Sequence, residues 1–274
     1  MEKFIIAVDL DETLLNDNKV VSQRNKDAIK KCKDMGYIVA ISSTRGYGSC
    51  EKIAKEISAD FVCCHSGNMI VKVSNEEIVY QKPFEKTELD EMVETFSKFT
   101  RKIVVDSIKN LFGEFDENDE ADREMVETWA VKFLSLNEIS QKEVFKVCVW
   151  YEESYKDKII KFCEEKNYIC RPMRGNSFML ITQKDSDKFY ALEKLAEKFE
   201  IDIANIVVFG DDDSDALSIE KCGYGVAMSN SRDSVLKKAK HITTSNNDDG
   251  VAEFLENCLR FNIIYERGIL WTIC

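Results

Sequence analysis

Two carboxylates two residues apart, Asp9 and Asp11, directly follow the apolar run Phe4-Ile5-Ile6-Ala7-Val8. Such a run predicts a buried parallel strand, and ligands of open α/β sheets bind beyond the carboxyl ends of the strands. One carboxylate can attack an electrophilic centre while its neighbour donates a proton to the leaving group. Alternatively, Asp11 and Thr13 only cap the turn that leaves the strand. These residues alone leave both interpretations open.

A second polar stretch, Ser42-Ser43-Thr44-Arg45, follows the apolar segment 37–41. Hydroxyls, backbone N–H groups and a guanidinium are groups that bind phosphate. Ser and Thr before a helix are also ordinary helix caps, so this stretch alone indicates either role.

Lys188 begins a segment with helical periodicity that runs to Phe199. Cations are disfavoured at a helix N-terminus. Lys188 is therefore either a solvated surface residue or a lysine that an anion holds there, and Lys184 is a nearby competitor for that role.

The apolar run 206–209 is followed by Gly210-Asp211-Asp212-Asp213-Ser214-Asp215. Four aspartates within five residues repel one another unless solvent or a cation relieves the charge. Oxygen ligands without sulfur or nitrogen favour Mg²⁺ over a softer metal. A solvated turn is the alternative, but a preceding strand and a following helix favour a metal site.

The elements that must position these residues alternate between strand and helix, which predicts an α/β fold with a Rossmann-like parallel sheet. The pattern occupies both ends of the chain. Its predicted strands are 4–8, 37–41, 61–64, 206–209, 224–228 and 241–243. One helix is predicted to start after Ser22, and the other predicted helices are 49–57, 188–199, 216–221 and 251–259.

The middle of the chain has a different pattern, in which β-rich segments are separated by helical ones. This pattern predicts a second α/β domain inserted at residues 83–184 into a core of residues 1–82 and 185–274. A hairpin, 70–73 and 78–80, precedes it, and the acidic run 114–124 is interpreted as a solvated loop and helix start. Within it we expect strands at 144–150 and 178–182 and helices at 89–99, 125–134 and 155–165.

Composition excludes several classes of function. The 274 residues include 50 acidic and 38 basic side chains, and a net charge of −12 disfavours nucleic-acid or anionic-membrane surfaces as partners. The ten cysteines and two histidines lack zinc-site spacing, and no apolar run is long enough to span a bilayer. We expect a soluble cytoplasmic protein with reduced thiols and a packed terminal extension over 261–274; its oligomeric state is not readable.

Together these motifs resemble the haloacid dehalogenase superfamily of phosphotransferases, and within it the Cof-type phosphatases with a large α/β cap. Four motifs occur in order, and further similarity lies in GVAMSNS at 225–231 and in Asp249-Gly250-Val251. Departures from the usual pattern are Thr44 in place of Gly, Ser214 in place of Asn, and Ser229-Asn230-Ser231 in place of Gly-Asn-Ala. The four motifs are DLDETLL at 9–15, the hydroxyl loop at Ser43, Lys188, and GDDDSD at 210–215.

The resemblance implies a mechanism. Asp9 would attack a phosphoryl group and become an aspartyl-phosphate, while Asp11 would protonate the leaving group and then activate water. Ser43 and Lys188 would hold the phosphoryl oxygens, and Thr13 would support the turn. The resemblance also implies that Mg²⁺ is held by Asp9, the backbone carbonyl of Asp11, Asp211 and Asp215, and that Leu10, Thr44, Arg45 and Asn230 lie around the phosphate or substrate.

The predicted function is that of a Mg²⁺-dependent phosphatase, a phosphoric monoester hydrolase acting on a small phosphorylated metabolite such as a sugar phosphate or a phosphorylated cofactor. A phosphomutase is the alternative within the superfamily. Outside it, two alternatives remain, a receiver-like signalling protein and a non-catalytic phosphate-ligand binder. DxDxT and the inserted domain disfavour the receiver, and the complete set of charged residues disfavours the binder. In the inserted domain Arg171, Arg174 and Asn176 are either specificity residues or surface residues. Asn230 is expected to orient Lys188 or the second loop.

Overall fold

The structure is a computed structural model that describes residues 3–116, 118–139, 141–172 and 178–260. The chain divides into two compact units. One contains the described residues of Met1–Thr44, Cys50–Val79 and Asp187–Cys274, and the other those of Arg45–Ser49 and Tyr80–Ser186. The functional role of the predicted inserted domain is not tested by this division and stays a prediction.

The elements of the amino-terminal part begin with a buried strand and a capped helix. Ser22 accepts a hydrogen bond through its hydroxyl from the backbone N–H of Asn25, which starts the first helix, and Gly36 beyond its end has a φ of +84°. The elements are β1 (Ile5–Val8), α1 (Gln23–Asp34), β2 (Ile38–Ser42), α2 (Tyr47–Glu56), β3 (Phe61–Cys64), β4 (Met69–Lys72) and β5 (Glu77–Gln81).

The middle of the chain contributes short helices and longer strands. They are α3 (Lys86–Phe96), β6 (Thr100–Ser107), β7 (Leu111–Gly113), α4 (Glu120–Trp129), β8 (Lys132–Phe133), α5 (Leu136–Ile139), β9 (Val144–Tyr151), α6 (Lys156–Glu165), β10 (Ile169–Pro172) and β11 (Phe178–Thr182).

The carboxy-terminal part returns to the alternation of helix and strand. Its elements are α7 (Lys188–Phe199), β12 (Ile206–Gly210), α8 (Ala216–Lys221), β13 (Tyr224–Met228), α9 (Asp233–Leu236), β14 (His241–Thr243) and α10 (Gly250–Arg260).

The first sheet has eight strands in the order β14-β13-β12-β1-β2-β3-β4-β5. The six strands from β14 to β3 are parallel to their neighbours, and β4 runs antiparallel to β3. β1 lies in the middle with all four residues buried, because strands of a parallel sheet are covered on both faces. The prediction of an α/β fold with a parallel sheet core is confirmed.

The second sheet, in the order β10-β11-β9-β6-β7-β8, is mostly antiparallel. Its main core lies between one face of the sheet and two helices. The buried residues of that core include Met92 and Phe96 of α3, Ile159 and Cys163 of α6, and Val105, Val147 and Ile181 of the sheet.

Two details of this region differ from the sequence-based expectation. The helix predicted over 125–134 is wrong in its second half, because α4 ends before Ala130, which adopts a left-handed conformation with φ of 51°. The backbone then enters β8. The long strand β6 was not predicted, although the run Ile103-Val104-Val105 has the β-branched composition of a buried strand.

Three expectations concern the whole chain. All nine cysteines that the structure describes are free thiols. The terminal extension predicted over 261–274 lies outside the described residues. Among the residues that are described, no helix is long and apolar enough to cross a membrane.

Candidate active site

Asp9 and Asp211 leave neighbouring strands at the same edge of the first sheet. β1 and β12 are parallel, with Val8 opposite Phe209, and the backbone N–H of Asp9 donates to the carbonyl of Phe209 at 3.1 Å. Each aspartate follows the last residue of its strand, so the register of the sheet brings the two side chains together. Asp9 is 6% exposed and Asp211 9%.

Asp215, at the beginning of α8, lies against the same edge of the sheet. Its carboxylate accepts hydrogen bonds from the backbone N–H groups of Asp211 and Asp212, both at 3.3 Å. Gly210 makes this approach possible, since a Cβ at that position would lie 2.3 Å from Cγ of Asp215. The loop therefore folds back on its own strand and aims Asp215 at the cluster.

Lys188 is the buried cation of the site. It is the first residue of α7, capped by Asp187, and its Nζ lies 2.9 Å from Oδ1 of Asp9 and 2.8 Å from Oδ1 of Asp215. Burial by itself lowers the pKa of Lys188, but Asp215 and Asp9 raise it above its ordinary value. Of the two alternatives at this helix start, the structure shows the lysine held by anions, while Lys184 is exposed.

One carboxylate oxygen from each of Asp9, Asp211 and Asp215 lies within 4.8 Å of the other two. Burial raises the pKa of Asp9 to about 7, against the opposing effect of Lys188, and raises that of Asp211 to about 6, against a hydrogen bond from Thr13. Burial raises the pKa of Asp215 as well. Two of the three carboxylates, those of Asp9 and Asp215, contact the ammonium group of Lys188, and burial disfavours the charged form of all three.

Asp11 occupies a different environment from Asp9. It lies in a distorted helical turn, Leu10–Leu14, with φ of −70° and ψ of 133°, and its side chain is 43% exposed. Lys19 lies 3.7 Å from its carboxylate. Asp11 is not part of the buried carboxylate cluster found among the described residues, so only its backbone carbonyl stays a predicted metal ligand.

The rest of the turn is anchored to the second acidic loop. The buried hydroxyl of Thr13 donates to Oδ1 of Asp211 at 2.8 Å, which extends the predicted role of Thr13 from the turn to the cluster. Leu10 is fully buried, and its backbone lowers the pKa of Asp9 through a hydrogen bond.

The second predicted loop follows β2 at the same edge of the sheet. Ser43 is 1% exposed, and its backbone N–H donates to the carbonyl of Cys63 at 2.8 Å. Thr44 is half-buried beside it. Arg45 belongs to the short segment Arg45–Ser49 that groups with the second unit. A phosphate-binding role for these residues stays a prediction.

Asn230 makes contacts other than the expected ones to Lys188 or the second loop. Its amide donates to the carbonyl of Glu12 at 2.8 Å and accepts from the backbone N–H of Asn246 at 3.1 Å. Asn230 therefore holds the turn that follows Asp11.

The acidic loop divides into a buried pair, Asp211 and Asp215, which the resemblance named as metal ligands, and an exposed pair, Asp212 and Asp213, for which no role was predicted. Asp211 and Asp215 join the buried cluster, whereas Arg232 contacts Asp212 at 3.0 Å and Asp213 at 2.8 Å at the surface. Arg232 was not predicted, and its position, the fourth residue after the end of β13, carries no distinctive signal.

The candidate specificity residues of the middle region are only partly described. Arg171 lies on β10 and is half-buried, and Arg174 and Asn176 lie outside the described residues.

The order of the motifs and this geometry agree with a comparison to known families. The family described as haloacid dehalogenase-like hydrolase matches residues 6–255 of the chain. The chain belongs to the haloacid dehalogenase-like hydrolases. Within them it is a Cof-type phosphatase, an enzyme that hydrolyses phosphate esters, and the resemblance stated from the four motifs is confirmed.

Relatives of this haloacid dehalogenase-like hydrolase match over nearly their full length. A 5-amino-6-(5-phospho-D-ribitylamino)uracil phosphatase of Bacillus subtilis is 27% identical over 265 residues, covering 92% of this chain and 94% of that protein.

Two solved structures share the fold. A haloacid dehalogenase-like hydrolase from Bacteroides thetaiotaomicron has a TM-score of 0.80 at 22% identity and covers 93% of this chain and 99% of its own. A subclass IIB sugar phosphatase has a TM-score of 0.76 at 17% identity and covers 95% and 99%.

Proposed function

We propose that this protein is a Mg²⁺-dependent phosphatase that hydrolyses a small phosphorylated metabolite through an aspartyl-phosphate on Asp9. The observation that carries the proposal is the buried cluster in which Lys188 lies 2.9 Å from Asp9 and 2.8 Å from Asp215. A nucleophile fixed beside a buried cation at the carboxyl edge of the sheet is suited to phosphoryl transfer, where positioning and charge neutralisation supply most of the catalysis.

The donor set of this cluster fits a magnesium ion. Three buried carboxylates within 4.8 Å of one another offer hard oxygen ligands. Burial raises their pKa values because it disfavours the charged form, and a bound cation would compensate that charge. Asp9, Asp211 and Asp215, together with the backbone carbonyl of Asp11, would hold the ion. When bound, the ion would neutralise charge on the phosphoryl oxygens and orient them.

Asp9 is proposed to form a bond to phosphorus as the bond from phosphorus to the ester oxygen breaks. Lys188 favours the ionised, nucleophilic form of Asp9, because it lowers the pKa that burial raises. An ammonium group has three donors, and two of those of Lys188 face Asp9 and Asp215. We propose that the third donor binds a phosphoryl oxygen and that Ser43 is the second donor residue.

Asp11 is proposed to protonate the leaving oxygen and then to accept a proton from the water that cleaves the aspartyl-phosphate. Its 43% exposed side chain suits proton exchange with a leaving group and with water, in contrast to the buried Asp9. Leu10, Thr44, Arg45 and Asn230 stay proposed neighbours of the phosphate or substrate.

The substrate is proposed to be a small phosphate ester whose leaving group is selected by the domain predicted over residues 83–184. The B. subtilis relative is named for a phosphorylated ribitylaminouracil and a structural neighbour for sugar phosphates. A panel containing both kinds of ester, with release of inorganic phosphate as the readout, tests this class. Conversion of a sugar 1-phosphate to its 6-phosphate without phosphate release would instead indicate a phosphomutase.

The proposed chemistry is tested with p-nitrophenyl phosphate and Mg²⁺, comparing wild type with Asp9→Asn. Asparagine keeps the size of the side chain but is not a nucleophile, so the rate should fall by on the order of 10³-fold or more. Asp213→Asn is the matched control, since Asp213 is 56% exposed and pairs with Arg232. Equal rates for wild type and Asp9→Asn would overturn the proposal.

A further inference from the structure

The four residues that directly follow β3, His65–Asn68, form a strained and buried loop that the proposed mechanism does not use. We call it the β3 loop. His65, Ser66 and Gly67 have φ values of 52°, 58° and 90°. Left-handed conformations are uncommon for residues other than glycine, and such strain persists only where the surroundings impose it. His65, Ser66 and Asn68 are all at most 3% exposed. The strain therefore lies inside the molecule, at the same sheet edge as the site.

One side of the β3 loop contacts the loop that carries Ser43. The backbone N–H of Ser66 donates to the carbonyl of Ser43 at 3.3 Å, and the N–H of Ser43 donates to the carbonyl of Cys63 at 2.8 Å. The backbone of Ser43 is thus held from both directions, by the end of β3 and by the strained residue beyond it.

The other side of the β3 loop contacts the first peptide of α7. A Cβ on Gly67 would lie 2.0 Å from the carbonyl oxygen of Asp187 and 3.2 Å from the backbone nitrogen of Lys188. The neighbouring atoms are backbone and cannot rotate away. Only glycine allows this approach, and the peptide it contacts sets the start of the helix that carries Lys188.

The loop is closed by Asn68. Its side-chain amide donates to the carbonyl of His65 at 3.0 Å, and its backbone N–H donates to the same carbonyl at 3.2 Å. The contacts to Ser43 and to Lys188 therefore arise from one short, internally bonded segment.

We propose that the β3 loop is a positioning element that fixes the separation between Ser43 and Lys188, and that Gly67 is its decisive residue. The inference rests on the proposed function, because Ser43 and Lys188 are the proposed donors to the phosphoryl oxygens. Two donors on different elements act together only if their spacing is held closely, and a misplacement of 1 Å costs about 10²-fold in rate.

The direct test compares Gly67→Ala with Gly36→Ala. Both glycines have a positive φ, 90° and 84°, but a Cβ on Gly36 has nothing within 4 Å, so this control carries the backbone strain without the collision. Gly67→Ala should lower kcat/KM by on the order of 10²-fold and weaken inhibition by inorganic phosphate, while Gly36→Ala keeps both near wild type.

A milder pair keeps the test valid if Gly67→Ala does not fold. Asn68→Ala removes the bond from the Asn68 amide to the carbonyl of His65 without adding an atom. Asn25→Ala is the matched control, because Asn25 is equally buried and accepts one backbone hydrogen bond, from Ala252 at 2.9 Å, away from the site. Both should lower the melting temperature, but only Asn68→Ala should reduce the increase in melting temperature that inorganic phosphate gives.

The outcomes separate this inference from the proposed function. If wild type hydrolyses phosphate esters in an Asp9-dependent manner but Gly67→Ala behaves like Gly36→Ala, or Asn68→Ala like Asn25→Ala, the β3 loop has only a structural role. If wild type shows no Asp9-dependent activity, the proposed function itself fails. Parallel losses in Gly67→Ala and Asn68→Ala, with both controls retained, support the positioning role.

Discussion

The acidic loop contains two pairs of aspartates, Asp211 with Asp215 and Asp212 with Asp213, which differ in burial and in the residues that they contact. Asp211 and Asp215 are at most 9% exposed and converge with Asp9, whereas Asp212 and Asp213 are 44% and 56% exposed and pair with Arg232. Identical side chains within five residues therefore divide into a buried cluster with raised pKa values and a solvated surface patch. Burial beside Lys188, and not the density of aspartates, therefore defines the site.

The largest expected contrast is between Asp215→Asn and Asp213→Asn. Asp215→Asn removes the charge that faces Lys188 at 2.8 Å and leaves a buried ammonium with one fewer partner. We expect kcat/KM to fall by on the order of 10²-fold or more, because the group orients both Lys188 and the loop. Asp213→Asn should remain near wild type in the same phosphatase assay. Similar losses in the two variants would break the division of the loop.

The second comparison is between the stability of the protein with Mg²⁺ and without it, at different pH values. The pKa of Asp9 is raised to about 7 and that of Asp211 to about 6, so the metal-free folded protein holds protons that the unfolded chain releases above about pH 4. The contribution of these groups to the free energy of unfolding is present at low pH and is lost as pH rises toward 7. Because Mg²⁺ competes with these protons, its stabilising effect should grow over the same range.

The measurement is the melting temperature with Mg²⁺ and with a chelator, at about pH 5 and about pH 7.5. The increase that Mg²⁺ gives should be larger at the higher pH in wild type and in Asp212→Asn, and should shrink in Asp211→Asn. An increase independent of pH, or an equal loss in Asp212→Asn, would assign the metal to another group.

The smallest expected effect is that of Arg232→Ala. Its side chain is 49% exposed, and exposed ion pairs contribute less than about 1 kcal/mol each, reduced further by salt. Chemical denaturation should show a small loss in the free energy of unfolding, with kcat/KM unchanged. A large loss of activity would show that Asp212 and Asp213 also support the buried cluster, and the division of the loop into a buried and an exposed pair would be wrong.

Much of this arrangement follows from patterns in the sequence. The runs before Asp9 and Asp211 predict buried strands, and parallel strands bring their carboxyl ends to one edge, so convergence of the two acids is expected. Lys188 gains its role only through tertiary structure, since its sequence position fits a surface lysine equally well. Burial resolved that choice.

Other features depend on contacts that no local pattern encodes. The contact of Gly67 with the Asp187 peptide joins residues 120 positions apart, and a glycine in a turn has many ordinary explanations. The pairing of Asp212 and Asp213 with Arg232 likewise depends on how the loop after β13 approaches the loop after β12. In the middle region, β6 was missed despite its β-branched run, and the helix predicted over 125–134 was extended too far because β8, which follows Ala130, is only two residues long and has no periodic signal.

Locating the phosphoryl group during turnover shows whether Asp9 carries it. Borohydride reduces an aspartyl-phosphate to homoserine, which peptide mass spectrometry places at a single residue. Asp11→Asn, which should slow hydrolysis of the intermediate, is predicted to yield homoserine at position 9 and at no other aspartate position. Homoserine at another aspartate position, or sustained phosphate release with no labelled residue, would show that Asp9 does not carry the phosphoryl group.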